Sequence, residues 1–381
     1  MIDLVETFNN AFRLQQEGRL VEAETLYRAV LDVAPEHPGS HHLLGLVEHQ
    51  LGRHEAALQS IKRAIELNDS EPNYHNNLGT VYRTLGKVEE AVACYRHAVG
   101  LKPDFAAGFN NLGIALLQKG EFAQAQRALE RALEAKPDYA GAWFNLGNVL
   151  AGRDEHAKAV EHYRQALTLD PNHIDALNNL GAALNELGES DEAASCYQRV
   201  LALQPANAAA HNNFGRVLAQ RDELDGAIWH FREAIALQPH AIDAHINLGN
   251  VLLEQGDASA AHQSYERALA IDPSHESAHW NDGLALLVQG ELAEGFHRWR
   301  WNVAASKRFS APEWRGEELN GETILIHAEQ GFGDTLQFVR FVEVVAQRAT
   351  RVVLEVQPQL LSLLEPTAQQ WRVTLIAQGA P

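Results

Sequence analysis

Four residue columns recur every 34 positions in this 381-residue chain, in phase and over most of its length. Glycine stands at Gly45, Gly79, Gly113, Gly147, Gly181, Gly215, Gly249 and Gly283, and alanine at Ala23, Ala57, Ala91, Ala125, Ala159, Ala193, Ala227 and Ala261. Proline follows at Pro35, Pro103, Pro137, Pro171, Pro205, Pro239 and Pro273, with Asp69 in the one gap. Aromatic residues complete the set at Tyr27, Tyr95, Tyr163, Tyr197, Phe231 and Tyr265. A fixed period of this kind dictates a stack of identical supersecondary units and excludes an ordinary globular core.

Each column has a physical task. Small residues let two helices approach closely, and proline ends the second helix of each unit because it lacks an N–H and clashes with the preceding turn. A further glycine column, Gly18, Gly52, Gly86, Gly120, Gly188, Gly256 and Gly290, with Asp154 and Asp222 as substitutes, marks the turn between paired helices. The unit is a helix–turn–helix hairpin. Nine units are expected, starting at 4, 38, 72, 106, 140, 174, 208, 242 and 276.

This pattern resembles the tetratricopeptide repeat (TPR) family, and the resemblance covers about four fifths of the chain. It implies a mainly all-α solenoid, a right-handed superhelix of about nine hairpins over residues 1–309, whose first helices line a concave groove. The ninth unit departs from the pattern, with Gly295 in the alanine column and Trp299 and Trp301 nearby. It is expected to cap the stack.

Asparagine forms one more column, at the sixth position of the unit: Asn9, Asn77, Asn111, Asn145, Asn179, Asn213, Asn247 and Asn281, interrupted only by Leu43. At ~100° per residue this position lies roughly 150° from the arc facing the second helix, on the open side. Asn is a mediocre helix former, so propensity does not explain the column. An amide offers donor and acceptor together, as a peptide unit does. Two readings follow: a ladder gripping an extended peptide backbone, or a polar link between neighbouring units. The TPR domains of O-linked N-acetylglucosamine transferases are similar in carrying such a ladder, which implies Asn77, Asn111, Asn145, Asn179, Asn213, Asn247 and Asn281 as peptide-binding residues. The chaperone-binding TPR type requires Lys one place earlier. Here that place holds Asn76, Asn110, Phe144, Asn178, Asn212, Ile246 and Trp280, which argues against a clamp for acidic C-termini.

Fifty acids against 31 bases give a formal net charge of −19, which disfavours nucleic acid and anionic membrane surfaces as partners. No apolar run approaches the ~18 residues needed to span a bilayer. The N-terminus has neither the cationic start nor the apolar block of a secretory signal. Cys94 and Cys196 are the only cysteines. They share a column three units apart, too far for a disulfide, and a cytoplasmic location is the expectation. His41, His75, His211, His245 and His279 share the fourth position, and equivalent residues of successive units stand too far apart to share one zinc. No metal site is expected, and these imidazoles are expected to pack inward.

The period ends near Phe309. Residues 310–321 read as a linker, with Trp314 placed to dock on Trp299 and Trp301. Residues 322–381 read as a partial Rossmann-like α/β segment: a buried strand Thr323–His327, a helix Asp334–Ala349, a strand Arg351–Gln357, a short helix Pro358–Leu364 and a strand Trp371–Ala377. Gly331 and Gly333 place a glycine-rich loop where backbone N–H groups meet an anion, but Leu336 breaks a dinucleotide fingerprint. The run EQGFGDTLQFVRF resembles the opening of heptosyltransferase-like (GT-B) glycosyltransferases and of bacterial TPR proteins carrying such a domain. That resemblance implies Asp334 as general base for an acceptor hydroxyl, with His327 and Glu329 as weaker candidates, and a nucleotide-sugar donor for the parent enzyme. Asp334 with Gln337 also fits an N-cap. A GT-B enzyme needs a second Rossmann domain, so the chain reads as a fragment or a truncation without activity of its own. Two functions follow: a protein-interaction scaffold binding an extended segment, with no cofactor, or the recognition arm of a glycosyltransferase. Self-association into a homodimer is a third expectation.

Overall fold

The computed structural model describes residues 3–299, 321–328, 335–336 and 339–378. It divides the chain into two compact units, Met1–Asn302 and Val303–Pro381. The boundary expected at 309 and the linker 310–321 fall largely on residues outside the described ones.

The first unit is a TPR-like solenoid of eighteen helices, from Leu4–Gln16 to Leu292–Trp299, paired as nine hairpins. The first helix of one hairpin (Ala106–Gln118, for example) packs on its own second helix (Phe122–Ala135), and that second helix packs on the next first helix (Ala140–Ala151). First helices also touch first helices in neighbouring units, whereas second helices make no comparable contact with one another. The stack is therefore tighter on the side of the first helices, which form its inner face.

The glycine and aromatic columns are two halves of one contact. A Cβ added at Gly79, Gly147, Gly181, Gly215 or Gly249 would lie 2.5–2.8 Å from the ring of Tyr95, Tyr163, Tyr197, Phe231 or Tyr265. Those rings are essentially fully buried, and such a side chain contributes roughly 2–3 kcal/mol when removed from water. In unit nine, Gly283 instead meets the backbone of Gly295 and Trp299, so the two helices approach main chain to main chain. The turn column adopts positive φ throughout, including Asp154 at 59° and Asp222 at 61°.

The second unit holds three parallel strands in the order β1 (Thr323–His327), β2 (Arg351–Val356) and β3 (Thr374–Ala377). Four readings of the sequence need correction here. β1 is half-buried rather than buried, because among the described residues it pairs on one side only; the buried strand is the central β2. The helix expected over Asp334–Ala349 is, among the described residues, helical at 335–336, a 3-10 turn over Val339–Phe341 and helical again over Val342–Ala346, and it ends before Ala349. The helix expected to stop at Leu364 runs over Leu361–Trp371 after a 3-10 turn Pro358–Leu360. Buried Leu360, Leu364 and Ala368 keep a four-residue apolar step that carries it past Pro366. The last strand accordingly starts at Thr374, after Arg372 ends the helix at φ 58°.

Candidate functional site

The sixth-position asparagines sit half-buried along the first helices, and their amide nitrogens reach the preceding unit. Asn111 Nδ2 donates to Asn76 Oδ1 at 2.9 Å, Asn145 Nδ2 to Asn110 Oδ1 at 2.9 Å, and Asn247 Nδ2 to Asn212 Oδ1 at 3.1 Å. In these three rungs the acceptor is the fifth-position residue of the unit before.

Units five and eight have no acceptor there, since Phe144 and Ile246 occupy the fifth position. The acceptor moves one turn along the same helix, to the ninth position. Asn179 Nδ2 donates to Asn148 Oδ1 at 2.8 Å, and Asn281 Nδ2 to Asn250 Oδ1 at 2.9 Å. Each of these acceptors also receives a tyrosine hydroxyl from its own hairpin, Tyr163 at 2.9 Å and Tyr265 at 2.8 Å. Burial pushes the Tyr163 phenol up to about 12 and the Tyr265 phenol above its ordinary value, so both remain donors.

The first rung uses an imidazole. Asn77 Nδ2 lies 2.8 Å from His42 Nε2, and since an amide nitrogen only donates, His42 carries its proton on Nδ1. Burial lowers His42 to about 4. The break in the column has the same logic. Unit one offers Phe8 and Phe12 at the fifth and ninth positions, no acceptor exists, and unit two carries Leu43, which packs in one apolar cluster with Phe8. Among the described residues one rung stays open: Asn178 Oδ1 is buried without a partner, and Asn213 does not reach it.

The ladder is thus an inter-unit link, one of the two readings of the sequence. It leaves the other half of each amide over. The Oδ1 atoms of Asn111, Asn145, Asn179, Asn247 and Asn281 accept no side-chain hydrogen bond from the described residues, whereas Asn77 Oδ1 accepts from Asn76.

The fourth-position histidines do more than pack. His41, His75, His211, His245 and His279 place Nε2 at 2.8–3.1 Å from the carbonyl oxygen six residues earlier, that of Pro35, Asp69, Pro205, Pro239 and Pro273. Trp143 Nε1 treats Pro137 in the same way. Phe109 and Leu177 cannot donate, and there Arg131 and Arg199 reach the carbonyls of Pro103 and Pro171 from the second helix. Every carbonyl exposed by a helix-stopping proline from unit two onward therefore finds a donor. The single signal for this was the coincidence of His or Trp six places after the proline column.

Unit nine holds a buried ion network that the repeat pattern does not announce. Asp282 replaces the seventh-position Leu, is fully buried, and bonds Arg298 and His262 Nδ1, the latter at 2.6 Å. Cys94 and Cys196 are free thiols, pushed up to about 11 by burial and so held protonated. Asp334, Gly331, Gly333 and Glu329 lie outside the described residues, as do Trp301 and Trp314; His327 ends β1. No described helix is long and apolar enough to cross a membrane.

This arrangement defines a tetratricopeptide-type repeat domain. Residues 11–241 match the family model of the cilia and flagella-associated protein 70 C-terminal domain, and residues 180–318 match that of the middle TPR-like domain of the same protein. The first match spans more than half of the chain, and the protein belongs to this family of TPR domains. Among curated proteins, none matches the sequence. A tetratricopeptide repeat protein from Parabacteroides merdae shares 16% identity with a TM-score of 0.52, covering 65% of this chain and 98% of its own. PilW, a type IV pilus biogenesis factor, shares 22% identity with a TM-score of 0.52, over 54% of this chain and 96% of its own. Both show the fold alone. YrrB, described as a TPR protein with an unusual peptide-binding site, shares 26% identity with a TM-score of 0.42, over 48% of this chain and 95% of its own. The family matches end at residue 318 and lend the glycosyltransferase resemblance no support.

Proposed function

We propose that the repeat array is a protein-interaction scaffold that holds an extended segment along the inner face of its first helices. One observation carries this reading. Five amides, at Asn111, Asn145, Asn179, Asn247 and Asn281, are fixed by their Nδ2 bonds while their Oδ1 atoms accept nothing from side chains within the described chain. A row of oriented acceptors matches the N–H groups of a peptide backbone, which is recognition without sequence reading. The ladder therefore does both jobs: the donor half joins units, and the acceptor half meets the partner. With a net charge of −19, the partner is a neutral or basic segment.

Adjacent first helices lie roughly 8–10 Å apart, and an extended chain advances about 3.3 Å per residue. One rung then serves about every third residue of the partner. The test is an N-methyl scan on the tightest ligand from an array of unstructured basic peptides, read by fluorescence anisotropy. Affinity should drop at every third backbone amide and hold between them. A scan with no sensitive position, or a set of equally sensitive ones, refutes backbone capture by the ladder. The glycosyltransferase reading of residues 322–381, with Asp334 as base, finds no supporting observation and takes no part in this proposal.

A further inference from the structure

Two residues of unit three's neighbourhood differ from those of the flanking units. Asp69 stands where the other units carry proline, and His97 stands at a position of the second helix that is arginine in both neighbouring units, Arg63 and Arg131, and in two others, Arg199 and Arg267. Both face His75. His75 Nε2 lies 3.2 Å from Asp69 Oδ1 and 2.9 Å from the Asp69 main-chain oxygen, and His97 Nε2 lies 4.0 Å from the same Oδ1. The two imidazole rings stand 4.1 Å apart between centroids. All three donor atoms fall within 4.8 Å of one another. A tetrahedral zinc with bonds of ~2.0–2.1 Å sets its ligands roughly 3.4 Å apart, between the 3.2 and 4.0 Å separations seen here.

We propose that Asp69, His75 and His97 form a binding site for a divalent transition-metal ion of the zinc class. Two imidazoles and one carboxylate select such an ion over magnesium or calcium, which take oxygen donors. Equivalent histidines of successive units stand too far apart to share an ion, but His75 and His97 belong to one hairpin, at the fourth position of its first helix and on the facing side of its second.

Without metal, His75 is the Nε2–H tautomer, donating to the Asp69 carbonyl. On binding, the ion takes the Nε2 lone pair and the ring proton moves to Nδ1, so neutral His75 releases no proton. The Asp69 carbonyl, relieved of its donor, is then free to serve as the fourth ligand and second oxygen. The ion would tie the loop between units two and three to the second helix of unit three, stiffening one junction of the stack. Asp69 and His97 are exposed, so the ligands face water and affinity is modest. A second cluster, His262, Glu266 and Asp282, is closed to cations because the Arg298 guanidinium bonds both carboxylates.

The test is titration of the full chain with Co2+, read by visible d–d absorption, followed by displacement with Zn2+. Asp69→Pro and His97→Arg each install the residue that neighbouring units carry. The Asp69 N–H makes no hydrogen bond among the described residues, so proline fits there. Circular dichroism checks that both variants fold. One equivalent of Co2+ should bind the wild type with tetrahedral bands, and each variant should bind at least about tenfold more weakly. Absence of saturable binding overturns the proposal. So does binding that survives both substitutions, which would move the ion to another pair such as His211 and His230.

Discussion

The step from unit four to unit five and the step from unit five to unit six solve one problem in two ways. In the first, Asn145 is received by fifth-position Asn110; in the second, Asn179 is received by ninth-position Asn148, one turn further along the helix. The difference lies in what else the acceptor does. Asn110 receives one amide. Asn148 receives an amide and the hydroxyl of buried Tyr163, and so couples the joint between units to the packing inside its own hairpin. A column of identical asparagines therefore conceals two kinds of junction, and they should respond differently to the same insult.

Packing should separate them most. Gly147 faces the Tyr163 ring and Gly113 faces the flexible Leu129. Ala11 holds this position in unit one, but in units four and five a Cβ alone would stand 2.5 Å from Leu129 or Tyr163, and a β-branched side chain adds to that clash. Gly147→Val should cost about 3–4 kcal/mol by displacing Tyr163 and breaking both bonds to Asn148, and Gly113→Val about 1–2 kcal/mol less, because no rung depends on Leu129. Urea unfolding of the two variants measures the gap. Equal losses would mean that the tyrosine does not transmit to the junction.

Acidity should single out the His42 rung. Burial lowers His42 to about 4 from 6.5, so the unfolded chain binds this proton more readily between those values. The associated stability is complete above pH ~6.5 and lost as pH falls toward 4, about 2–3 kcal/mol in all. The amide rungs do not titrate. Hydrogen exchange in Pro38–Gln50 and Pro72–Thr84 should accelerate through this window, and His42→Asn should reduce that acceleration to what His49, lowered on the same helix by burial and by His54, contributes. His230, also lowered to about 4 by burial and by His211, produces a separate response near Leu224–Leu237 that the substitution leaves in place.

Deleting the acceptors gives a smaller contrast. Asn110→Ala strands one half-exposed amide, for about 1 kcal/mol; Asn148→Ala also strands a buried phenol, for about 2 kcal/mol. Thermal unfolding resolves the pair, and an Asn148→Ala/Tyr163→Phe double variant should recover part of the loss, because no hydroxyl is then left without a partner.

These junctions also show what a sequence reveals by itself. The hairpins, their turns and their period were legible because each column repeats one local task under one geometry: Gly147 against Tyr163, positive φ at Gly86, a stop at Pro103. The partner of the asparagine column was not, since it lies 35 residues back in four rungs, one of them ending on an imidazole, and 31 in two others. A reader expecting one fixed offset finds none. The interruption at Leu43 held the clue, because the column fails where the preceding unit has only Phe8 and Phe12 to offer. The Asp69–His75–His97 cluster escaped for a related reason: comparing like positions across units passes over unlike positions within one. In residues 322–378 no period helps. Strand positions came through from apolar runs, whereas helix ends depended on packing, as with Leu364 in one apolar cluster with Val352, Leu354 and Val356 of β2, and single-sequence patterns do not carry that information.

The smallest effect is the most demanding test of the comparison. Unit four combines Asn110, Ile114 and Leu129 at the fifth, ninth and aromatic positions; unit five combines Phe144, Asn148 and Tyr163. If each trio is a self-consistent solution, moving all three residues should be nearly neutral while moving one is not. Asn148→Ile alone leaves Tyr163 and Asn179 without an acceptor. Adding Phe144→Asn restores the rung from the fifth position but still strands the phenol. Adding Tyr163→Leu removes the phenol, and the triple variant should return to within about 1 kcal/mol of the wild type, the single variant lying about 2 kcal/mol below it. Additive losses across the series would show that the two junctions are independent accidents of sequence; recovery at the third step would show that the acceptor, the rung and the aromatic column vary as one unit.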